Sequence, residues 1–334
     1  MPWDLAFAPD GRIFVTERPG RIRVLANGQL RVQPWASLDV AAAGEAGLMG
    51  IALSPGFEAD RQLFVVGTFL DSGRILNRVI RFTEENGSGV NPTVIVDGIP
   101  AAEFHAGDAI DFGPDGKLYV ATGDAGDPGD ARDLQSLAGK ILRYNADGTI
   151  PADNPFPNSP VYAYGVRNVQ GLAWHPESGR LIASEHGPSG FPNERFRRNN
   201  DELNVILPGK NYGWPDVAGD EEEDGSIRPI AVWNPGIAPA GLAIYNGPIA
   251  AWKNNIFVAA LRGQQLRRVV IEPANETELG YRVVRNVALF KEDLGRLRAV
   301  VIGPDGHIYF TTSNWDGRGD PAPADDRVLR LVPR

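Results

Sequence analysis

Two residues of this chain, His105 and Asp124, have the types and spacing expected of a general base and its orienting carboxylate. Imidazole is the side chain most often used as a base near neutral pH, and a neighbouring carboxylate sets its tautomer and basicity. Both residues flank one predicted hairpin, whose folding brings the two flanks together at its open end. The pair predicts acid–base chemistry, although Asp124 alone, in Gly-Asp-Ala-Gly, is also typical of a turn.

Four arginines are predicted on the same side of the fold as His105: Arg167, Arg262, Arg296 and Arg298. Guanidinium groups recognise carboxylates through paired hydrogen bonds. Because the protein has a net charge of −9, arginines that converge on one cavity indicate a polyanionic ligand. For any one of them alone, the alternative is an ordinary salt bridge to a surface carboxylate.

The segment His186-Gly187-Pro188 predicts an irregular loop with accessible main-chain carbonyls, and Asp201-Glu202 follows along the chain. Calcium takes six to eight oxygen ligands, commonly including main-chain carbonyls. The loop is therefore a candidate calcium site, although Gly-Pro loops are common and this pattern is weak by itself. The sequence contains no EF-hand loop, no zinc-binding spacing and no GxGxxG motif before a helix.

A repeated unit must position these residues. An apolar strand, a turn built on Pro-Asp-Gly or a variant of it, and an alternating second strand recur at intervals of roughly 45–75 residues. The six copies are Leu5–Glu17, Ile51–Gly67, Ile110–Asp124, Leu172–Glu185, Ile249–Leu261 and Val300–Ser313. Proline fixes φ and glycine supplies positive φ, so each copy reads as a hairpin. We predict an all-β fold, one six-bladed β-propeller of four-stranded antiparallel blades over residues 1–334.

The hairpins also predict a single functional face. In an antiparallel hairpin, the start of the first strand and the end of the second lie at the same end. The turns therefore share one face of the disc, and the segments that carry His105 and His186 meet on the other. His175 and His307 occupy turn-side positions that other residue types fill in sister repeats, so we interpret both as structural.

Composition and charge exclude several classes of protein. The net charge of −9 argues against a nucleic-acid partner, and the absence of cysteine excludes disulfides and thiolate catalysis. No apolar run approaches 18 residues, so no membrane span is predicted. Met1-Pro2-Trp3 leads straight into a strand pattern without the features of a signal peptide. Either the protein is cytoplasmic or its leader has been trimmed. The abrupt start favours a trimmed mature domain, in a periplasmic or secreted protein.

The chain contains, in order, HAGD, GDAG, YGVRNVQGLAWHP, EHGPSG, DELN, NYGWP and GRLRAVVIGPDG. Together these segments resemble the soluble glucose and aldose sugar dehydrogenases that depend on pyrroloquinoline quinone (PQQ). The similarity covers nearly the whole chain. It implies calcium-dependent hydride transfer from the anomeric carbon of an aldose to PQQ, giving an aldonolactone, with an artificial or periplasmic electron acceptor. It leaves a monomer or a homodimer open.

The resemblance also implies individual roles. His105 would remove the hydroxyl proton, and Asp124 would tune the histidine. Arg167 and Asn168 would lie against the quinone oxygens. Further cofactor contacts would come from His186, Arg262, Arg296 and Arg298.

Calcium would be held by the main-chain oxygens of Gly187 and Pro188. A second calcium would lie at Glu202 and the main chain of Tyr212.

Two departures from the family pattern bear on specificity. Arg262 stands where relatives often have lysine, and Glu45 stands where many carry glutamine near the sugar. Two other functions remain as alternatives. A six-bladed calcium-dependent lactonase needs carboxylate and Asn side chains on a metal but no arginine cluster, and a non-catalytic propeller that binds ligands needs no His–Asp pair.

Overall fold

The computed structural model describes residues 1–107, 109–195 and 200–332; Asp108 of the HAGD segment lies outside them. Within this part of the chain the strands are β1 (Pro2–Phe7), β2 (Ile13–Glu17), β3 (Arg21–Ala26), β4 (Gln29–Leu30), β5 (Ala36–Ser37), β6 (Leu48–Leu53), β7 (Gln62–Asp71), β8 (Arg74–Glu85), β9 (Ser88–Pro100), β10 (Ile110–Phe112), β11 (Leu118–Ala121), β12 (Lys140–Tyr144), β13 (Val161–Tyr164), β14 (Val169–Trp174), β15 (Leu181–Glu185), β16 (Asp201–Ile206), β17 (Ala231–Trp233), β18 (Pro239–Ile244), β19 (Ile256–Ala260), β20 (Gln265–Ala274), β21 (Gly280–Leu289), β22 (Leu297–Ile302), β23 (Ile308–Thr312) and β24 (Val328–Leu331). The helical segments are α1 (Phe57–Asp60) and two 3-10 turns, Pro128–Ala131 and Ala250–Trp252.

The strands form six antiparallel sheets, each a meander of consecutive strands. Sheets β6–β9, β10–β13, β14–β17 and β18–β21 have four strands; the first has β1–β4 with β5 added to β3, and the last has β22–β24 among the described residues. The inner strands β1, β6, β10, β14, β18 and β22 each pack on the next, and β22 packs on β1, which closes the ring. The six-bladed propeller predicted from the repeat is confirmed.

Apolar side chains fill the spaces between neighbouring blades. Met49 and Phe64 of the second blade, for example, pack with Ile110 and Leu118 of the third. The inner strands approach so closely that a Cβ on Gly171 would lie 2.6 Å from the main-chain oxygen of Ala240 in the next blade. Glycine at this position is therefore required by the tight centre of the ring.

The predicted bounds of one copy of the repeat were wrong. The first strand of the fifth blade is Pro239–Ile244, whereas the predicted copy placed it from Ile249 onward. Residues Ala250–Trp252 form a 3-10 turn instead, and the Trp252 ring packs edge-on against Tyr245 at 5.7 Å. The apolar run is thus a turn whose partly buried Ile249 and Trp252 pack against the core of the blade, and this hydrophobicity resembles that of a strand.

Bulges in the inner strands direct side chains towards the axis. The register of the inner hairpin shifts between Val169 and Gly171 and again between Leu297 and Val300. Gln170 and Arg298 lie within these shifts, and both line a central channel of about 500 Å³. Bulges commonly re-aim a side chain in this way.

None of the described helices is long and apolar enough to cross a membrane.

Candidate active site

His105 and Asp124 meet as the hairpin β10–β11 predicts. The His105 Nδ1 atom lies 2.7 Å from Asp124 Oδ1, and both side chains are buried. The backbone of His105 has φ of 57°, a left-handed conformation that turns the ring inward from the segment before β10. The main chain of the two flanks is joined as well, since Ala125 N donates to His105 O.

The neighbours of His105 fix its tautomer. The His105 Nε2 atom lies 2.7 Å from Arg167 Nη2, which is a donor only. Nε2 is therefore the unprotonated nitrogen, and Nδ1 carries the proton that is donated to Asp124. The lone pair of Nε2 accepts the Arg167 hydrogen bond in this structure, and Nε2 is the nitrogen with which the ring would accept a proton as a base.

Asp124 is held as a carboxylate by donors on every side. Trp214 Nε1 donates to its Oδ2 at 2.9 Å, and Gly126 N donates to Oδ1 at 2.9 Å. Burial favours the protonated acid, but the hydrogen bond from His105 and the charge of Arg167 outweigh burial and lower the pKa of Asp124. The negative charge needed to orient and stabilise the imidazole is thus present at neutral pH.

Glu45 joins Asn168 to the same centre. Its Oε2 accepts hydrogen bonds from His105 N at 3.0 Å and from Asn168 Nδ2 at 3.2 Å. Burial opposes ionisation of Glu45, yet electrostatic interactions with His186, His105 and Arg298 lower its pKa. The site therefore contains a second carboxylate, half-buried at the wall of the cavity.

A cavity of about 340 Å³ opens beside this network. Its lining is Glu45, Gln170, His186, Ser189, Ala238, Leu261, Arg262, Arg296 and Arg318. Arg262 and Arg296 are two of the four predicted arginines, and Arg318 is a third cation that the sequence did not indicate. Burial lowers the pKa of His186, with only partial compensation from Asp201, so this ring enters the cavity as neutral imidazole.

The remaining two predicted arginines, Arg298 and Arg167, lie outside the lining of this cavity. The Arg298 guanidinium stacks over the Trp3 ring at 3.6 Å in the central channel. Arg167 is fully buried, and its Nη1 donates to the main-chain oxygen of His186 at 2.9 Å. Of the four predicted arginines, Arg262 and Arg296 line the cavity and Arg298 lines the channel, while Arg167 is buried against His105 and Glu194.

The candidate calcium loop is built on a close backbone crossing. Gly187 N donates to Asp201 Oδ1 at 2.8 Å, and a Cβ on Gly187 would lie 2.0 Å from Asn200 O. Only glycine fits at this crossing. Gly187 and Pro188 lie in the chain between His186 and Ser189, and both of these neighbours line the cavity.

A separate buried group of oxygen atoms lies one strand away. Asn204 Nδ2 donates to Glu185 Oε2 at 3.0 Å and to Glu202 Oε2 at 3.1 Å. Burial raises the pKa of Glu202 to about 7 and that of Glu185 well above its usual range. Among the described residues, Asn204 Oδ1 is buried without a hydrogen-bond partner. The predicted partner Tyr212 is buried nearby along the chain, with its hydroxyl bonded to Val205 O.

Comparison with known proteins assigns this arrangement to a family. Residues 1–322 match the Glucose / Sorbosone dehydrogenase family. The chain belongs to this family. The resemblance inferred from the sequence is confirmed, and membership makes the chain an oxidoreductase of the sugar dehydrogenase class.

Individual members of the family are similar over almost their whole length. A putative oxidoreductase (glucose dehydrogenase) from Thermus thermophilus is 43% identical with a TM-score of 0.89, covering 99% of this chain and 96% of that one. The PQQ-bound aldose sugar dehydrogenase from Streptomyces coelicolor is 37% identical with a TM-score of 0.86, covering 98% and 93%. The aldose sugar dehydrogenase of Escherichia coli is 30% identical over 100% of this chain and 90% of that relative.

Several contacts of this dehydrogenase-family site were not predicted. Trp214, in the NYGWP segment, reaches Asp124 across 90 residues of sequence. Glu185 accepts a hydrogen bond from Arg167 N at 2.6 Å, and Glu194 binds the Arg167 side chain. The first two lie in segments that the sequence singled out, whereas nothing in the local sequence around Glu194 indicates a role.

Proposed function

We propose that this chain oxidises aldose sugars to aldonolactones, with PQQ as hydride acceptor, calcium as Lewis acid and His105 as general base. The observation that carries the proposal is the His105 ring, whose Nδ1–H is held by Asp124 and whose Nε2 accepts a hydrogen bond from Arg167. The main chain of His105 is bonded to Glu45, which lines the arginine-rich cavity. The family assignment and the PQQ-bound relative support the same reaction. The cluster of arginines argues against a lactonase, and the His105–Asp124 pair argues against a propeller that only binds ligands.

The positive charges at the cavity suit the anionic cofactor PQQ. Arg262 and Arg296 line the cavity, and Arg298 lies in the adjoining channel. In an acidic chain, guanidinium groups gathered at one cavity suit the three carboxylates of PQQ. PQQ, when bound, supplies a quinone carbonyl carbon that accepts the hydride. Asn168 and Arg167 are the residues we assign to the quinone oxygens.

The oxygen atoms of the site fit calcium. Main-chain carbonyls of Gly187 and Pro188 stand beside the cavity, where calcium would polarise the quinone. The second group, Glu202 with Asn204 Oδ1, has the carboxylate and amide oxygens that calcium prefers, and the bare amide oxygen is costly without a partner. We assign a second calcium to Glu202 and the main chain of Tyr212.

In the reaction, His105 Nε2 takes the proton from the anomeric hydroxyl as the hydride leaves the anomeric carbon. Asp124 stabilises the imidazolium that forms, because its carboxylate accepts the Nδ1–H bond. Arg167 places a fixed positive charge beside the same nitrogen, where negative charge develops on the sugar oxygen. Each of these groups is buried, so their electrostatic effects are stronger than they would be in water.

The function is tested by reconstitution. The protein is incubated with PQQ and calcium, and reduction of an artificial dye is followed with a panel of aldoses. We expect dye reduction that requires PQQ and a sugar together. A correctly folded protein that reduces no dye with any aldose would refute the proposal.

Replacing Glu45 by glutamine should change the choice of sugar. Glu45 is ionised at the cavity wall, so it favours a sugar that carries a protonated amine. We expect E45Q to lower kcat/KM for a 2-amino aldose by roughly tenfold relative to glucose. Equal kcat/KM ratios for the two sugars in wild type and E45Q would show that Glu45 does not face the substrate.

Replacing Glu202 by glutamine should weaken calcium-dependent stabilisation. A ligand at 100 times its Kd stabilises the native state by about 2.7 kcal/mol. We expect calcium to raise the Tm of the wild type and to raise that of E202Q by less. Glu221, an exposed glutamate, gives the matched control E221Q, which should respond as the wild type does. Identical calcium responses in E202Q and wild type would exclude Glu202 as a ligand.

A further inference from the structure

Glu194 is a buried carboxylate that joins two parts of the site. Its side chain is 1% exposed, and Oε1 lies 2.7 Å from Arg167 Nε and 2.6 Å from Arg167 Nη2. The same guanidinium contacts His105 Nε2. Glu194 is thus the counter-ion of the arginine that faces the proposed base, although it lies 27 residues away in sequence.

The other oxygen of Glu194 organises the turn Ser189–Glu194, here called the mouth turn. Oε2 accepts three main-chain hydrogen bonds, from Ser189 N at 2.9 Å, Gly190 N at 2.7 Å and Phe191 N at 2.9 Å. The mouth turn is also tied to the loop after β11, because Asn193 Nδ2 donates to Gly126 O at 2.7 Å. One carboxylate therefore holds the turn and the arginine in a fixed relation.

The mouth turn presents an aromatic ring beside the base. Phe191 is 38% exposed, and its ring meets the His105 ring edge-on at 5.3 Å between centroids. Phe104 lies 6.3 Å from Phe191 and carries the Arg318 guanidinium over its face at 5.0 Å. Arg318 lines the cavity, so these side chains form a continuous wall from the cavity to His105.

We propose that Glu194 is a positioning residue that locks Arg167 and the mouth turn as one unit, and that Phe191 is a specificity-determining wall of the sugar subsite. This inference rests on the proposed sugar oxidation. A pyranose has an apolar C–H face that packs well on an exposed aromatic ring. Burying Arg167 without a counter-ion is unfavourable, so loss of the Glu194 charge releases the guanidinium from its place beside His105.

The two residues are expected to act on different kinetic constants. In E194Q the amide offers one acceptor oxygen where the carboxylate has two, so Arg167 or the mouth turn loses its partner. We expect kcat for glucose to fall about 10²-fold, as for a displaced catalytic group. In F191A we expect KM to rise about tenfold while kcat stays within about twofold of the wild-type value. The conservative variant F191Y should keep the wild-type KM.

Two further measurements separate positioning from general damage. Hydrogen exchange at the amides of Ser189, Gly190 and Phe191, measured without PQQ or sugar, should be faster in E194Q and unchanged in the exposed control E221Q. A double-mutant cycle with R167Q should show that E194Q adds little once Arg167 is removed.

The proposal is overturned by additive losses in that cycle, by unchanged exchange in E194Q, or by an unchanged KM in F191A. F191A removes a partly exposed side chain, so it tests the wall even if E194Q does not fold. Wild-type protein that oxidises no aldose would refute the proposed function, whereas the exchange experiment reports on the Glu194 lock independently of activity.

Discussion

Replacing His105 by alanine should abolish most turnover and leave PQQ binding nearly unchanged. Removal of a general base typically lowers the rate by about 10²–10⁴-fold. His105 Nε2 is the nitrogen assigned to accept the sugar proton, and no other described histidine has an Asp partner in the cavity network. Saturating single-turnover kinetics with glucose would measure the loss, and a PQQ titration would measure cofactor affinity.

Two additional variants make this test specific. His105 has φ of 57°, so alanine introduces backbone strain that asparagine largely avoids. H105N should therefore lose turnover as H105A does while keeping more of the native stability. His307, on the turn-side face, gives the control H307N, which should remain fully active. A fully active H105N would show that the base has been misassigned.

The fold could be predicted because it repeats. Each hairpin is a local structure with its own turn residues, and six of them leave little freedom in how the sheets close. The same reasoning placed His105 against Asp124, since the open end of one hairpin brings its two flanks together. The prediction was wrong in the fifth blade because Ile249 and Trp252 belong to a turn and not to a strand. Their apolar side chains pack against the core of the blade.

The rest of the site depends on contacts that no local pattern encodes. Glu194 reaches Arg167 through an irregular loop, and Arg318 reaches Phe104 from a different blade. Such pairs form only after the ring has closed, when loops from separate blades are brought to one face. Composition and periodicity predict that face, but they do not predict which side chains on it will touch.

The cofactor itself was indicated at two levels. Converging arginines predicted a polyanion, and the resemblance named that polyanion as PQQ. The structure brings Arg262 and Arg296 to the cavity and Arg298 to the channel next to it. The proposed site thus has a redox end at His105 and an anchoring end at the arginines, which should be separable by mutation.

Replacing Arg296 and Arg298 by alanine should weaken PQQ binding far more than it slows the reaction of the loaded enzyme. Arg296 is oriented by Asp316, whose Oδ2 lies 2.7 Å from its Nε, and Arg298 by the Trp3 ring. Truncating one partner of a buried charged hydrogen bond costs about 2–5 kcal/mol. Each variant should therefore raise the Kd for PQQ by roughly 30-fold to several thousand-fold.

The pattern among further variants distinguishes an anchor from a simple source of charge. R298K keeps the charge but loses the planar fork and its stacking on Trp3, so its Kd should lie between wild type and R298A. The exposed Arg74 gives the control R74A, with wild-type affinity expected. Because His105 and Asp124 are untouched, kcat at saturating PQQ should stay within a few-fold of wild type. Unchanged PQQ affinity in the Arg296 and Arg298 variants would refute their role as anchors of PQQ. A large loss of kcat at saturating PQQ would show that these arginines also contribute to the chemical step.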